Sequence, residues 1–195
     1  MALRAWALAT LVTLLPAVGC KPRYSVAAGE DAAAAKPPAV GDPAPEFSLP
    51  DQNDRPVRLK DLRGRWVVLY FYSSDDTPDC VCHATEFTEL LFRFTDMNAS
   101  VYGVSEDSPA EHRAFIQKFA LGINLLSDAD HAVMKRYGAW APKAGEGADE
   151  HVVRSTFLID PAGKVRHHWP QVDGKGHAEQ VRRKLAELQG QAKGE

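Results

Sequence analysis

The sequence predicts an α/β fold in which a mixed β-sheet is flanked by helices. Between residues 66 and 137, apolar strand-like runs alternate with helical patterns, as in folds whose parallel strands are joined by helices. Two more strand-like runs and a closing helical pattern follow. The 195 residues, 45% of them hydrophobic and 25% charged, suffice for one domain with a substantial core. A formal charge of −3 argues against a protein whose main role is to bind nucleic acid.

The central strand is the most clearly marked element. Residues 66–72 form a continuous apolar run, which is typical of a strand covered on both faces. Residues 82–96 are predicted to form a helix with one apolar stripe. The stripe consists of Phe87, Leu90, Leu91 and Phe94. A second short strand is expected at residues 101–104.

A capping box marks the start of the next helix. Ser108 and Glu111 have the spacing of this motif, and Pro109 occupies the first helical position between them. The remaining elements are expected in this order: a strand at 125–126, a short helix at 130–137, a strand at 155–159, a turn at 161–164, a hairpin partner at 165–169, and a helix containing Val181, Leu185 and Leu188.

Residues 1–19 are predicted to be a signal peptide. Arg4 supplies the positive charge, and residues 5–15 form an apolar run that is too short to span a bilayer. The small residues before Cys20 resemble the lipobox of bacterial lipoproteins, in which that cysteine is lipidated. The alternative is an ordinary secretory signal peptide with an incidental cysteine. Either way, we expect a protein that is exported from a bacterial cell.

Residues 20–39 are predicted to be a flexible tether and residues 40–190 a single domain. The tether is rich in alanine and contains a Pro-Pro pair without strand or helix periodicity. Together with Cys20, it suggests a lipoprotein on the periplasmic face of a membrane. Lys21 does not resemble the aspartate that retains lipoproteins in an inner membrane, so we expect the outer membrane where the host has one.

Chemistry-bearing residues concentrate where the central strand ends and a helix begins. Binding and catalytic sites of open α/β sheets lie at the carboxyl ends of strands, and Cys80 lies there. In the first turn of a helix, backbone N–H groups and the helix dipole favour a thiolate. Thr77 can offer a hydroxyl to the sulfur. Nearby carboxylates oppose the ionisation of a thiol, so a cation is needed, and Arg154 is the best candidate. These carboxylates belong to Asp75, Asp76 and Asp79.

Seven segments between residues 40 and 188 carry a family resemblance. They are Gly41–Pro50, Leu69–Tyr72, Thr77-Pro78 before Cys80, Val104–Ser108, Leu125–Asp128, Tyr137-Gly138 and Arg154–Asp160. In this order and spacing, the chain resembles the peroxiredoxins of the AhpC/TSA superfamily, specifically the bacterioferritin-comigratory or Q-type branch. The resemblance implies a thioredoxin fold and the reduction of hydrogen peroxide and organic hydroperoxides. It also implies that Cys80 is the peroxidatic cysteine, Thr77 its hydroxyl partner and Arg154 the active-site arginine, with no cofactor or metal.

The chain departs from the family pattern at three positions. Ser73 stands where the family has a proline, and His83 stands where many members have Glu or Gln. Thr85 stands where some members carry a resolving cysteine, and no cysteine follows Cys82. Cys82 is therefore the candidate resolving cysteine, but residues two apart on a helix point to different sides. We favour an external thiol, thioredoxin-like or small, and a monomeric or weakly dimeric domain.

Two other kinds of protein remain open as alternatives. A copper-binding assembly factor of the same fold would use paired cysteines and a distant histidine. Its candidate ligands here are Cys82, His83, His151, His167 and His168. A membrane-tethered thiol–disulfide reductase would have a Trp-Cys-x-x-Cys motif and a proline before the strand at residues 155–159. This chain has neither, because Arg154-Ser155-Thr156 opens that strand.

Overall fold

The computed structural model describes residues 36–142, 150–172 and 174–192 and has the predicted thioredoxin-like α/β fold. A five-stranded mixed sheet in the order β5-β4-β3-β8-β9 forms its centre. The strands are β1 Ser48–Pro50, β2 Pro56–Arg58, β3 Trp66–Phe71, β4 Ala99–Ser105, β5 Asn124–Ser127, β6 Trp140–Pro142, β7 Glu150–Val152, β8 Ser155–Ile159 and β9 Val165–Trp169. Strands β3, β4 and β5 are parallel, whereas β8 and β9 run antiparallel to their neighbours.

The helices flank this sheet and connect its parallel strands. They are α1 Pro78–Glu89, α2 Leu91–Asp96, α3 Pro109–Phe119, α4 Ala132–Arg136 and α5 His177–Ala192, with a 3-10 turn at Leu59–Leu62. The prediction of a single helix at residues 82–96 is wrong. The segment forms two helices, because the backbone of Leu90 leaves the helical conformation (φ −95°, ψ 1°). The first of them begins at Pro78, which suits a first helical position.

Strand β3 is buried on both faces, as its continuous apolar run predicts. Val68 and Tyr70 pack into one apolar cluster, together with residues of α1, α3 and α5. Val67, Leu69 and Phe71 alternate with them and pack into a second cluster on the opposite face. Because both faces of β3 are packed, the position and direction of its C-terminal end are fixed, and so is the start of the loop before α1.

The predicted capping box and the predicted hairpin are both present. The Ser108 hydroxyl accepts from the Glu111 N–H, and the Glu111 carboxylate accepts from the Ser108 N–H at the start of α3. In the β8–β9 hairpin, Gly163 has φ +80°, and the guanidinium of Arg63 occupies the place that a Cβ would take. The positive φ favours glycine at this position, whereas the Arg63 guanidinium is the end of a flexible side chain and can move aside.

Two small hairpins, β1–β2 and β6–β7, are additional to the predicted elements. Each of their strands has three residues, which is too short for an alternating pattern to be visible in the sequence. Within the part of the chain that the structure describes, none of the helices has the length and apolar character needed to cross a membrane.

His177, the first residue of α5, predicts a loss of stability in mild acid. Its ring is 5% exposed, and burial, followed by the charge of His83, lowers its pKa from 6.5 to about 4. Between these two pH values the unfolded chain binds a proton that the folded chain does not, so stability falls as the pH drops. We expect a loss of about 2 kcal/mol between pH 7 and pH 5 from this residue.

Urea unfolding at the two pH values measures this effect. His177→Gln can keep a hydrogen bond to the Thr156 hydroxyl, which lies 2.9 Å from Nε2 in the wild type. The variant should reduce the difference between pH 7 and pH 5 by most of that amount. An acid sensitivity identical to that of the wild type would show that His177 is not its source.

Candidate active site

Cys80 lies where the predicted site was placed, in the first turn of α1 just beyond the end of β3. Its side chain is 2% exposed and belongs to the apolar cluster that includes Tyr70, Tyr72 and Ala84. Thr77 is the extended residue that precedes the helix, and Pro78 follows it. The sulfur is therefore close to the helix N-terminus and largely screened from bulk water, a setting in which local dipoles act strongly.

The sulfur of Cys80 has a hydroxyl neighbour that the sequence reading did not anticipate. Ser73 Oγ lies 3.6 Å from Cys80 Sγ, within the range of a hydrogen bond to sulfur. In the sequence, Ser73 is marked only by standing where the family has a proline, and seven residues separate it from Cys80. The turn of the loop before α1 brings the two side chains together.

Tyr70 lies beneath this site within the sheet. Burial, followed by the nearby Cys80 and Asp75, raises its pKa well above the usual value, so the phenol stays protonated. Its ring stacks on Phe87 of α1 with centroids 4.9 Å apart. The aromatic pair packs against the first turns of α1 and makes this side of the site apolar.

The Thr77 hydroxyl donates to the backbone oxygen of Ser74 at 3.3 Å. The Thr77 carbonyl accepts from the Val81 N–H at 2.9 Å, which forms the first bond of the helix. In this conformation the Thr77 side chain holds the turn before α1, and its oxygen keeps an acceptor capacity for a further hydrogen bond.

Arg154 reaches the same site from the adjacent strand. Phe71 is paired with Ser155 in the antiparallel β3–β8 ladder, so Arg154 lies beside the point where β3 ends. Its Nη1 is 3.0 Å from Asp79 Oδ2, and the side chain of Arg154 is 26% exposed. The guanidinium is thus half-buried and is held by Asp79, the residue that precedes Cys80.

The three aspartates of this segment have three different cationic or hydrogen-bonding partners. Besides the Arg154–Asp79 pair, Lys118 Nζ lies 3.0 Å from Asp76, and His112 Nδ1 lies 2.9 Å from Asp75. The expectation that Arg154 compensates for all three carboxylates is therefore wrong in that detail. The other two partners come from α3, which passes beside the loop.

His112 on α3 is a buried histidine whose environment was not predicted from the sequence. A helical histidine is usually solvated, yet His112 is 0% exposed. The available signal was its position, because it lies three residues before Phe115 on the buried side of α3. Its partner could not be identified from the sequence, since Asp75 is 37 residues away.

Cys82, two residues after Cys80 on α1, has a different environment. Its half-buried thiol donates to Glu86 Oε1 at 3.9 Å, one turn further along α1. Desolvation and then the charge of Glu86 raise the pKa of this thiol. Cys82 is consequently held as a protonated thiol at neutral pH, and both cysteines are free.

The structure does not assemble the candidate copper ligands. Cys82 contacts Glu86, and His83 Nε2 bonds to the Gly174 oxygen at 2.7 Å. His168 stacks on Phe157, and both His167 and His168 are half-buried on β9. In the described ranges, the one group spaced closely enough for a cation is Asp75, Asp107 and His112.

The two carboxylates of that group already accept hydrogen bonds from the protein, whereas His112 Nε2 is buried without a hydrogen-bond partner among the described residues. Asp75 accepts from the Tyr72 hydroxyl and from His112, and Asp107 accepts from the Ser105 hydroxyl and from the Asp75 N–H. A cation would have to displace these donors. The arrangement is therefore that of a buried hydrogen-bond network.

Comparison with known proteins agrees with this geometry. The profile of the AhpC/TSA family matches residues 40–168. Peroxiredoxin Bcp of Bacillus subtilis is 33% identical over 150 residues, which cover 76% of this chain and 96% of that protein. Peroxiredoxin Bcp of Escherichia coli is 36% identical over 146 residues, covering 74% of this chain and 94% of that protein.

Solved structures of the same branch also superimpose on the chain. A cysteine mutant of Xylella fastidiosa PrxQ has a TM-score of 0.74 and 34% identity, over 78% of this chain and 98% of that one. The Xanthomonas campestris bacterioferritin comigratory protein, described with alkyl peroxide reduction activity, has a TM-score of 0.71 and 32% identity, over 73% and 91% of the two chains. The chain therefore belongs to the AhpC/TSA family, in its Bcp/PrxQ branch of peroxiredoxins, and is a thiol-dependent peroxidase.

Proposed function

We propose that Cys80 is the peroxidatic cysteine of this enzyme. The observation that carries the proposal is the placement of its sulfur: buried, in the first turn of α1 and 3.6 Å from the Ser73 hydroxyl. A sulfur in this position is favoured as a thiolate by the helix N-terminus. Cys82 has the opposite environment, since its thiol faces a carboxylate.

The proposed reaction begins with attack of the Cys80 thiolate on the distal oxygen of a hydroperoxide. A sulfur–oxygen bond forms while the oxygen–oxygen bond breaks, and the departing alkoxide or hydroxide takes up a proton to leave as an alcohol or water. Cys80 is oxidised by two electrons to the sulfenic acid, and the peroxide is reduced by the same number. The rate depends on how well the site stabilises the charge that develops on the two oxygens.

Thr77 and Arg154 are proposed to hold the peroxide in line for this attack. The guanidinium has five donors in a planar arrangement, so Arg154 can bind Asp79 through one nitrogen and a peroxide oxygen through another. The Thr77 hydroxyl precedes Cys80 by three residues and can accept from the peroxide proton while it donates to Ser74. The substrates proposed are hydrogen peroxide and organic hydroperoxides, which the reported alkyl peroxide reduction by the Xanthomonas relative supports.

We propose that an external thiol reduces the sulfenic acid directly. That thiol forms a mixed disulfide with Cys80 and releases water, and a second thiol then restores Cys80. Resolution by Cys82 would need the first turn of α1 to unwind, because residues two apart on a helix lie about 200° apart around its axis. The mass of the protein oxidised without added thiol distinguishes the routes, since a Cys80–Cys82 disulfide lacks two hydrogens and a sulfenic acid gains one oxygen.

Peroxide consumption by the purified protein tests the function itself. With dithiothreitol or a thioredoxin system as reductant, we expect catalytic loss of both hydrogen peroxide and cumene hydroperoxide. Omitting the thiol should limit the reaction to about one turnover per protein. Catalytic consumption without any thiol, or no consumption with every thiol tested, would contradict the proposal.

We also propose that residues 1–19 are a signal peptide, that residues 20–39 tether the domain of residues 40–190, and that Cys20 carries a lipid anchor. Residues 1–35 lie outside the part of the chain that the structure describes, so this proposal is supported by the sequence alone. Stable attachment needs two or more acyl chains, which a lipidated N-terminal cysteine would provide. The tether would let the domain meet peroxides away from the bilayer surface.

Cell fractionation with and without Cys20→Ser tests the anchor. We expect the wild-type protein in the membrane fraction, the outer membrane where the host has one, and the Cys20→Ser protein outside it. Cys82→Ser serves as a matched control that should fractionate like the wild type. Wild-type protein in the soluble exported fraction would contradict lipidation and leave the peroxidase activity unaffected.

A further inference from the structure

A buried pair of side chains lies beside the peroxidase site without taking part in the proposed chemistry. His112 on α3 is fully buried, and the side chain of Asp75 is 8% exposed in the loop before Cys80. His112 Nδ1 is 2.9 Å from Asp75 Oδ2. Because a carboxylate only accepts hydrogen bonds, we assign the proton to Nδ1, which makes this a charge-assisted bond.

Asp75 joins the loop to three separate elements. Its other carboxylate oxygen accepts from the Tyr72 hydroxyl at 2.7 Å, at the end of β3. Its N–H donates to Asp107 Oδ2 at 2.9 Å, and that oxygen also accepts from the hydroxyl of Ser105, the last residue of β4. Together with His112, these bonds tie the middle of the loop to β3, β4 and α3.

The rest of the loop has weaker attachments. Ser73 is exposed, and the ion pair between Asp76 and Lys118 lies at the surface, with both side chains more than half exposed. Asp76 also adopts the left-handed backbone conformation (φ 62°), which costs energy unless the surroundings hold it in place. Asp75 is thus the buried anchor of the loop.

We propose that His112, acting through Asp75, is a positioning residue that holds this loop in the conformation in which Cys80 reacts with peroxide. The inference rests on the proposed function of Cys80. With the anchor in place, the sulfur is 2% exposed and close to the Ser73 hydroxyl. Without this anchor, the Asp75 carboxylate would become exposed to water, and the loop would move away from the sulfur.

Loss of the anchor therefore has opposite effects on two reactions of the same sulfur. The reaction with peroxide slows because the loop groups around the sulfur are displaced. Alkylation by a bulky maleimide accelerates because a buried sulfur becomes accessible only when the loop opens. We expect each rate to change about tenfold in His112→Leu, the shift that follows from losing one charge-assisted hydrogen bond.

The test compares the two rates at Cys80 in four variants, with the alkylated cysteine identified from peptide fragment masses. His112→Leu and Asp75→Ala remove the anchor from its two sides and should behave alike. His112→Asn should restore both rates towards those of the wild type, because its amide nitrogen occupies the place of Nδ1 and can donate to Asp75. Asp76→Asn is the matched control, since it breaks an exposed pair between the same loop and the same helix.

Thermal unfolding separates positioning from general destabilisation. Val165→Ala removes buried side-chain atoms from β9 and should lower the melting temperature while leaving both rates within about twofold of the wild type. If His112→Leu behaves like Val165→Ala or like Asp76→Asn, the proposal is wrong. A His112→Asn protein as impaired as His112→Leu would also overturn it.

The result for the wild type distinguishes this proposal from the proposed function. A wild-type Cys80 that does not react with peroxide would contradict the peroxidatic role. In that case the alkylation rates alone test whether His112 holds the loop. A tenfold acceleration in His112→Leu supports this role, and an unchanged rate overturns it.

Discussion

Cys80→Ser is expected to abolish peroxide turnover, with a loss on the order of 10⁴-fold or more, as is seen when a catalytic nucleophile is removed. A serine hydroxyl in the same position is not ionised near neutral pH and cannot form a sulfenic acid. The substitution itself is nearly isosteric, and Cys80 lies in an apolar cluster with room for the smaller oxygen. The fold should therefore persist, and circular dichroism and thermal unfolding check that it does.

Cys82→Ser is the matched control for this experiment. It lies two residues away on the same helix, and its thiol faces Glu86. With an external thiol as reductant, we expect Cys82→Ser to keep activity within a few-fold of the wild type. A Cys82→Ser protein as inactive as Cys80→Ser would contradict the proposed direct reduction by external thiol.

Arg154→Met is expected to lower kcat/KM for hydrogen peroxide by about 10²- to 10³-fold, the usual loss when a donor to developing transition-state charge is removed. Methionine keeps much of the aliphatic stem, so packing beside the end of β3 should change little. It also leaves Asp79 without its cationic partner at 3.0 Å, which opposes the thiolate near neutral pH. The pH at which iodoacetamide alkylation of Cys80 reaches half its maximal rate should therefore rise.

Two variants show whether the effect is specific to this guanidinium. Lys118→Met removes a cation from the exposed pair with Asp76, on the same loop, and should change kcat/KM by less than about twofold. Arg154→Lys keeps the charge without the planar set of donors and should recover only part of the loss. An Arg154→Met protein with normal kcat/KM would exclude a role for Arg154 in binding the peroxide.

The parts of the fold that the sequence predicted are those with long or distinctive patterns. The apolar run of β3, the capping box of α3 and the β8–β9 hairpin are all present, with β8 and β9 at their predicted bounds. The three-residue strands of the small hairpins carry no such pattern. The break at Leu90 could not be predicted, because the apolar stripe continues across it into α2.

The candidate site was predicted to the extent that its residues are close in sequence. Cys80 and Thr77 lie on one strand–loop–helix segment, so their proximity followed from the pattern. The partners of the loop aspartates come from α3 and from the start of β8, and such pairings arise only when the chain is folded. His112 and Ser73 were not identified for this reason, since His112 is 37 residues from Asp75 and Ser73 is seven residues from Cys80.

Trapping the first oxidation product tests the central assignment most directly. The protein is treated with one equivalent of hydrogen peroxide in the presence of dimedone, which reacts with sulfenic acids, and the modified residue is located by peptide mass spectrometry. We expect oxidation at Cys80, as a dimedone adduct or as a disulfide that includes it, and no adduct when peroxide is omitted. Consumption of the peroxide with Cys80 still a thiol, or a sulfenic acid trapped at Cys82 alone, would contradict the assignment of Cys80 as the peroxidatic cysteine.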